Sequence, residues 1–200
     1  MCALIPRVET RTRIVLVIHR LEARKTTNTG RLATLCLPNS VVLERGHENT
    51  PDILAPELLD GAALLFPYPE AIPITTIDPP RSLIVPDGTW RQASKMRQRV
   101  TGLKDIPCVA LPPDVPSEYR LRSEAHPHGL ATIEAIARAL GVLEGAVARR
   151  ALERALKIMV ERTLWARGLL EAEDVTGGIP AGVQRHDPRA GGTPGLALRS

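Results

Sequence analysis

The sequence predicts an α/β domain, a mostly parallel sheet flanked by helices. Three observations carry this. Ile14, Val15, Leu16, Val17 and Ile18 run without a polar interruption, the pattern of a strand buried on both faces. Four more short apolar runs follow, bounded by proline, glycine or polar residues, and they alternate with stretches of helical period. The 200 residues are enough for one domain with a substantial core.

Taken in order, the first strand spans 13–19. The polar residues after it end in Thr26, Thr27, Asn28, Thr29 and Gly30, a loop by composition. A short helix over 31–37 is stopped by Pro38 and leads to a strand over 41–43. A helical stretch near 53–59 precedes the third strand, 62–66, which Pro67 ends. Residues 67–80 are rich in proline and read as a surface loop. The fourth strand is 83–85 and the fifth 108–111. The helix over 131–140 presents Ile133, Ile136, Ala137 and Leu140 on one face and stops at Gly141. A longer helix, 144–167, buries Leu152, Leu156, Met159, Val160 and Thr163, with Glu153 and Lys157 paired on its outer side. Beyond about 173 the chain is too poor in apolar residues to pack. Residues 1–172 are therefore the domain and 173–200 a disordered tail.

Composition narrows the function. Hydrophobic residues make up 44% of the chain but aromatics only 2%, so the core is aliphatic and bases cannot stack on several exposed rings. A net charge of +4 and a pI near 9.3 permit an anionic partner without requiring one. Cys2, Cys36 and Cys108 stand far apart with no CxxC pair. That spacing argues against a disulfide framework or zinc cluster and fits a reducing cytoplasm. No apolar run reaches the length of a membrane span, and no secretory pattern opens the chain. A cytoplasmic protein with no membrane partner is expected, and no stable protein partner is inferred. Neither GxGxxG nor GxxxxGK[ST] occurs, which disfavours a dinucleotide site and an ATP P-loop.

The informative stretch is 83–96. An apolar run ends at Pro86, Asp87 and Gly88, then Thr89 and Trp90 open a basic helix over 91–100. In an open α/β sheet ligands bind at the carboxyl ends of strands, so a carboxylate and an indole at such a turn are candidate site residues. Each has an ordinary alternative: Asp87 as a turn residue capping the next helix, and Trp90 as a core anchor. On that helix Ala93, Met96 and Val100 form an apolar stripe, while Arg91, Lys95 and Arg99 follow another face at i, i+4 and i+8. Arg97 adds a fourth cation, and no acid offsets them. A basic face beside Trp90 suits an RNA backbone, a solvated face being the ordinary reading. Arg120 and Arg122 alternate with Tyr119 and Leu121 and share one face of an extended segment. His19 and Glu22 lack HExxH spacing and read as a structural hydrogen bond. Met96 and Met159 read as core.

Asp87-Gly88-Thr89-Trp90 with Arg91-Gln92-Ala93 resembles the DxTW signature of the DTW-domain family, tRNA-uridine aminocarboxypropyltransferases. Three further blocks agree in order. They are His19-Arg20-Leu21-Glu22 leading into Thr27-Asn28-Thr29-Gly30-Arg31-Leu32-Ala33; Tyr119-Arg120-Leu121-Arg122-Ser123-Glu124; and Leu130-Ala131-Thr132-Ile133-Glu134-Ala135. The resemblance covers about residues 12–165. Many relatives begin with clustered cysteines where this chain has only Cys2, so no metal is expected. Ala131 stands where a serine is usual, and Ala125 where a proline is common.

The resemblance implies a SPOUT-like fold with a C-terminal trefoil knot, and S-adenosylmethionine as co-substrate. It implies transfer of the 3-amino-3-carboxypropyl group to N3 of a uridine in tRNA, releasing methylthioadenosine. A SPOUT-type RNA methyltransferase and a non-catalytic RNA-binding protein are the competing readings. Donor-pocket candidates at strand ends and at the final loop are Thr29, Gly30, Leu65, Phe66, Pro67, Leu111, Leu130, Ala131 and Thr132. Arg120 or Arg122 would grip the donor's carboxylate or contact RNA phosphates. Trp90 would stack on the target base or on adenine. Asp87 either accepts the N3 proton or holds the donor's ammonium. A carboxylate of ordinary pKa, about 3.9, is a poor base unless burial raises it.

Overall fold

The computed structural model describes residues 4–47, 52–112, 117, 119 and 129–185. Its strands are β1 (Arg13–His19), β2 (Ser40–Arg45), β3 (Ala62–Leu65), β4 (Ile72–Pro73), β5 (Ser82–Asp87) and β6 (Cys108–Ala110). They form one sheet in the order β2-β1-β5-β3-β6-β4, with every neighbouring pair parallel. The helices are α1 (Arg20–Ala23), α2 (Thr29–Cys36), α3 (Pro56–Leu59), α4 (Trp90–Ala93), α5 (Met96–Arg99), α6 (Thr132–Glu144) and α7 (Ala146–Ala166). The α/β, mostly parallel architecture is the one the sequence predicts.

The period of two along each strand splits the core into two layers. Ile14, Ala63, Leu65, Leu83, Val85 and Val109 face the layer made by α2, α6 and α7. Val15, Val17, Leu64, Ile84 and Cys108 face the other, with Leu58, Met96, Val100 and Leu103. The central strands are covered on both sides, which is why Ile14 to Ile18 are all 0% exposed. Val41 and Val42 on the edge strand β2 stay exposed. No helix among the described residues is long and apolar enough to cross a membrane.

Several boundaries differ from the sequence reading, each for a local reason. The proline-rich 67–80 stretch is not all surface loop. It contributes edge strand β4, then a short 3-10 helix (Ile74–Thr76) whose Ile74 is fully buried. An edge strand tolerates Pro73 because one side of its backbone has no ladder partner. Helix α6 runs through Gly141, since Leu143 extends its buried face, and ends at Gly145 with φ 93°. Gly141 is instead a close-packing residue: a Cβ there would sit 2.9 Å from Arg149 Cδ on α7. On α7 the outer ion pairs are Arg149–Glu153 and Lys157–Glu161, so Glu153 and Lys157 do not pair with each other. Residues 173–185, assigned by composition to the tail, meet α7. Val175 is 4% exposed, and Thr176 N donates to Glu161 Oε2 at 2.7 Å. Residues 186–200 lie outside the described residues.

The free thiol of Cys36 is 0% exposed, and burial pushes its pKa from 9.0 up to about 11. The unfolded thiol ionises first as pH rises, so this group's contribution to stability is present below pH 9 and lost progressively toward pH 11. Thermal melts across that window should fall less steeply for Cys36→Ala than for wild type. Equal slopes would show that Cys36 does not carry the effect.

Candidate active site

The helices that follow the adjacent strands β1 and β5 leave on opposite faces of the sheet. Leu32, Ala33 and Cys36 of α2 belong to one core layer, and Met96 of α5 to the other. The chain therefore diverges at the carboxyl ends of β1 and β5, the position at which open α/β sheets bind ligands. Asp87 is the last residue of β5. By alternation from Leu83 and Val85 its side chain faces α2 and α6, and both supply a partner.

Asp87 is 6% exposed. Its Oδ2 accepts from Asn28 Nδ2 at 2.7 Å and its Oδ1 from Thr132 Oγ1 at 2.6 Å. Asn28 is the N-cap of α2: its Oδ1 accepts from Arg31 N at 2.7 Å, satisfying a backbone donor that the first helical turn leaves free. The same amide thus ends a helix with its oxygen and holds Asp87 with its nitrogen. Thr29 and Gly30 form the first turn of α2, and Gly30 is packed against the carboxylate. A Cβ there would lie 2.7 Å from Asp87 Oδ2 and 3.0 Å from Cγ. Thr132 is the first residue of α6, half-buried. Two helix N-termini, each the positive end of a helix dipole, thus meet at one carboxylate.

The start of α6 is braced from within. Glu134 Oε2 accepts from Ala131 N at 2.8 Å and from Ser117 Oγ at 2.5 Å. Tyr119, 6% exposed, donates its hydroxyl to Thr27 O at 3.1 Å, tying this segment to the loop after β1. Leu130 is half-buried and Ala131 buried beside Thr132. Sequence reasoning missed Asn28, Glu134 and Tyr119 as site-building residues. An Asn before a helix is a cap signal, but with the helix started at residue 31 it read as loop.

The other side of the β5 tip is aromatic. The Phe66 ring lies 4.6 Å from that of Tyr68 and 5.0 Å from that of Trp90. Phe66 is buried, while Trp90 is 37% exposed, so one ring of the group meets solvent. Leu65 is buried at the end of β3, Pro67 is exposed and Leu111 is half-buried after β6. Thr89, not Asp87, caps α4: its Oγ1 accepts from Gln92 N, and Gln92 Oε1 accepts from Thr89 N at 2.8 Å. That reciprocal capping box overturns the capping alternative for Asp87. Trp90, as the first residue of α4, is not a core anchor.

The continuous basic helix over 91–100 is also corrected. It is two four-residue helices, α4 and α5, joined by a turn at Ser94 and Lys95 in which Lys95 N bonds Gln92 O and Gln98 N bonds Lys95 O. The i, i+4, i+8 stripe of Arg91, Lys95 and Arg99 therefore spans two short helices rather than one. Arg91 and Arg99 remain exposed and Lys95 half-buried; no ion pair engages them among the described residues. Arg97 is engaged, paired with Glu70 and stacked 5.6 Å from the Tyr68 centroid.

His19 does not bond Glu22. Its Nδ1 caps α1 by accepting from Leu21 N at 3.3 Å, and Glu22 pairs with Lys25. Burial, then the charges of Arg45 and Arg20, lower the His19 pKa. Among the described residues no group of three or more His, Cys, Asp and Glu is placed to hold a metal ion. Arg120 and Arg122 lie outside the described residues.

The chain is 29% identical over 144 residues to a Drosophila melanogaster protein named tRNA-uridine aminocarboxypropyltransferase 2, covering 66% of this chain and 57% of that one. A Macaca fascicularis protein of the same name is 28% identical over 143 residues, covering 66% and 48%. The chain thus spans about half the length of the curated relatives it matches. No solved structure matches it. The DTW domain matches residues 1–164, which include every element from β1 to most of α7. The chain therefore belongs to the DTW domain family.

Proposed function

We propose that this chain is a tRNA-uridine aminocarboxypropyltransferase of the cytoplasm. It moves the 3-amino-3-carboxypropyl group of S-adenosylmethionine to N3 of a uridine in tRNA and releases methylthioadenosine. The observation that carries this reading is the Asp87 carboxylate of the DxTW signature, fixed by Asn28 and Thr132 at the crevice between β1 and β5. The residues fit the donor's chemistry: Asp87 offers oxygen acceptors for an ammonium, and Leu65, Phe66 and Leu111, at or just after the carboxyl ends of β3 and β6, offer apolar side chains for an adenine. The bound donor supplies a sulfonium whose carbon–sulfur bond breaks. Thr29, Gly30, Pro67, Leu130, Ala131 and Thr132 border the same crevice in this reading. Selecting the methylene over the methyl is positional work, which suits a site built from two helix starts on a rigid sheet. The parallel sheet supports a SPOUT-like assignment, with a trefoil knot as its finer form and a domain that runs from residue 1 to at least the α7-packed stretch around Val175.

The decisive experiment is product analysis with S-adenosylmethionine and tRNA. Methylthioadenosine together with aminocarboxypropyluridine supports the reading; adenosylhomocysteine indicates a methyltransferase; tRNA binding with neither product indicates a non-catalytic RNA-binding protein. Arg91, Lys95 and Arg99 supply the phosphate contacts. Reversing all three charges should weaken tRNA binding and flatten the dependence of log K on log salt by roughly 2 to 3 units, at 0.7–0.9 per phosphate contact. An unchanged slope would remove them from the interface.

A further inference from the structure

Resting on the transfer proposed above, we infer that the Thr132 hydroxyl is the group that takes the uridine N3 proton, with Asp87 as the acceptor behind it. Asp87 is 6% exposed and Thr132 half-buried, so of the two residues Thr132 is the more accessible. Thr132 Oγ1 donates to Asp87 Oδ1 at 2.6 Å. An ionised carboxylate only accepts, so this bond uses the hydroxyl's single hydrogen and leaves its two lone pairs as acceptors. No other hydrogen bond engages Thr132 Oγ1 among the described residues. An acceptor-only hydroxyl recognises an N–H donor, and the imide N3–H of uridine is one.

The carboxylate is held for this task. Asn28 Nδ2 binds its other oxygen at 2.7 Å, and that amide cannot turn over because its Oδ1 caps α2. Gly30 packs closely against Oδ2. In the transfer step the N3–H bond breaks and a new Oγ–H bond forms on Thr132, while the original Oγ–H proton passes to Asp87 Oδ1. The N3 electron pair forms the N–C bond to the donor's methylene, and the carbon–sulfur pair leaves with methylthioadenosine. Proton relay concerted with attack removes the need for a free uridine anion, and general-base help of this kind contributes about 10²–10⁴ in rate.

The test uses the full chain, a pool of in vitro transcribed tRNA and S-adenosylmethionine, with aminocarboxypropyluridine read by mass spectrometry. Thr132→Ser should stay within about tenfold of wild type, whereas Thr132→Val, isosteric but without the hydroxyl, should lose about 10²–10⁴ in kcat. Calorimetric S-adenosylmethionine affinity of the valine variant should match wild type, while its melting temperature falls modestly because the buried Asp87 Oδ1 loses a partner. Its deficit should shrink as pH approaches N3 ionisation, and also on RNA carrying 5-fluorouridine, whose N3 is more acidic. A deficit that is constant with pH and with fluorinated RNA overturns the relay, as does lost donor affinity, which would make Thr132 a donor anchor. Wild type that forms no aminocarboxypropyluridine overturns the underlying reading and the relay together.

Discussion

Replacing Gly30 by alanine is expected to lower the melting temperature and nearly abolish transfer, although alanine is the better helix former. In an unconstrained helix this change gains about 1 kcal/mol. Gly30 is not among the positive-φ glycines, so its backbone alone would accept any residue. The obstacle is space. The new methyl would stand 2.7 Å from Asp87 Oδ2, 3.0 Å from Asp87 Cγ and 3.0 Å from Leu16 Cδ1. Leu16 is fully buried and Asp87 is bonded on both oxygens, so neither has a free direction in which to give way. Overpacking of this kind costs about 1–3 kcal/mol, which outweighs the propensity gain. The movement falls on the carboxylate, hence the larger expected loss in kcat. A variant with raised Tm and normal turnover would show that α2 does not pack against Asp87 this closely.

How much of this was legible in the sequence depends on whether the cause is local. The run from Ile14 to Ile18 announces a doubly covered strand because burial on both faces removes any need for alternation. Asp87 at a strand tip was legible for the same reason, and its side could have been taken from the parity of Leu83 and Val85. Its partners could not. Asn28 is 59 residues away and Thr132 is 45 residues away, and no local period encodes a contact made by two separate helix starts. The error at residues 91–100 was of a different kind. The apolar stripe of Ala93, Met96 and Val100 is real, and all three are buried, but a turn at Ser94 and Lys95 splits the helix while both halves keep that side buried. Gly141 and Gly145 show the limit of reading glycine as punctuation. Both stand near the end of α6, yet only the second has the left-handed φ that ends a helix.

Asp87→Asn should leave the fold standing and reduce transfer by about 10²–10⁴. The replacement has the same shape, so the result turns on hydrogen-bond direction. Asn28 must present its Nδ2 to residue 87, because its Oδ1 is committed to Arg31 N. The new side chain therefore turns its carbonyl oxygen to Asn28 and its NH₂ to Thr132. Facing a donor, the Thr132 hydroxyl reverses and accepts, and its own hydrogen swings outward toward the crevice. Packing survives, with one bond kept and the other reversed from charged to neutral partners, so the stability loss should be modest, about 1–3 kcal/mol. The relay does not survive. Thr132 would then offer a donor where N3–H requires an acceptor, and residue 87 would have no basic oxygen on that side. Thermal denaturation and turnover measured on the same preparation separate the two effects. An Asn variant that melts within several degrees of wild type but turns over slowly, with its deficit eased on 5-fluorouridine RNA, is the expected outcome. Near-normal turnover would take Asp87 out of the chemistry and leave it as a bolt between α2 and α6.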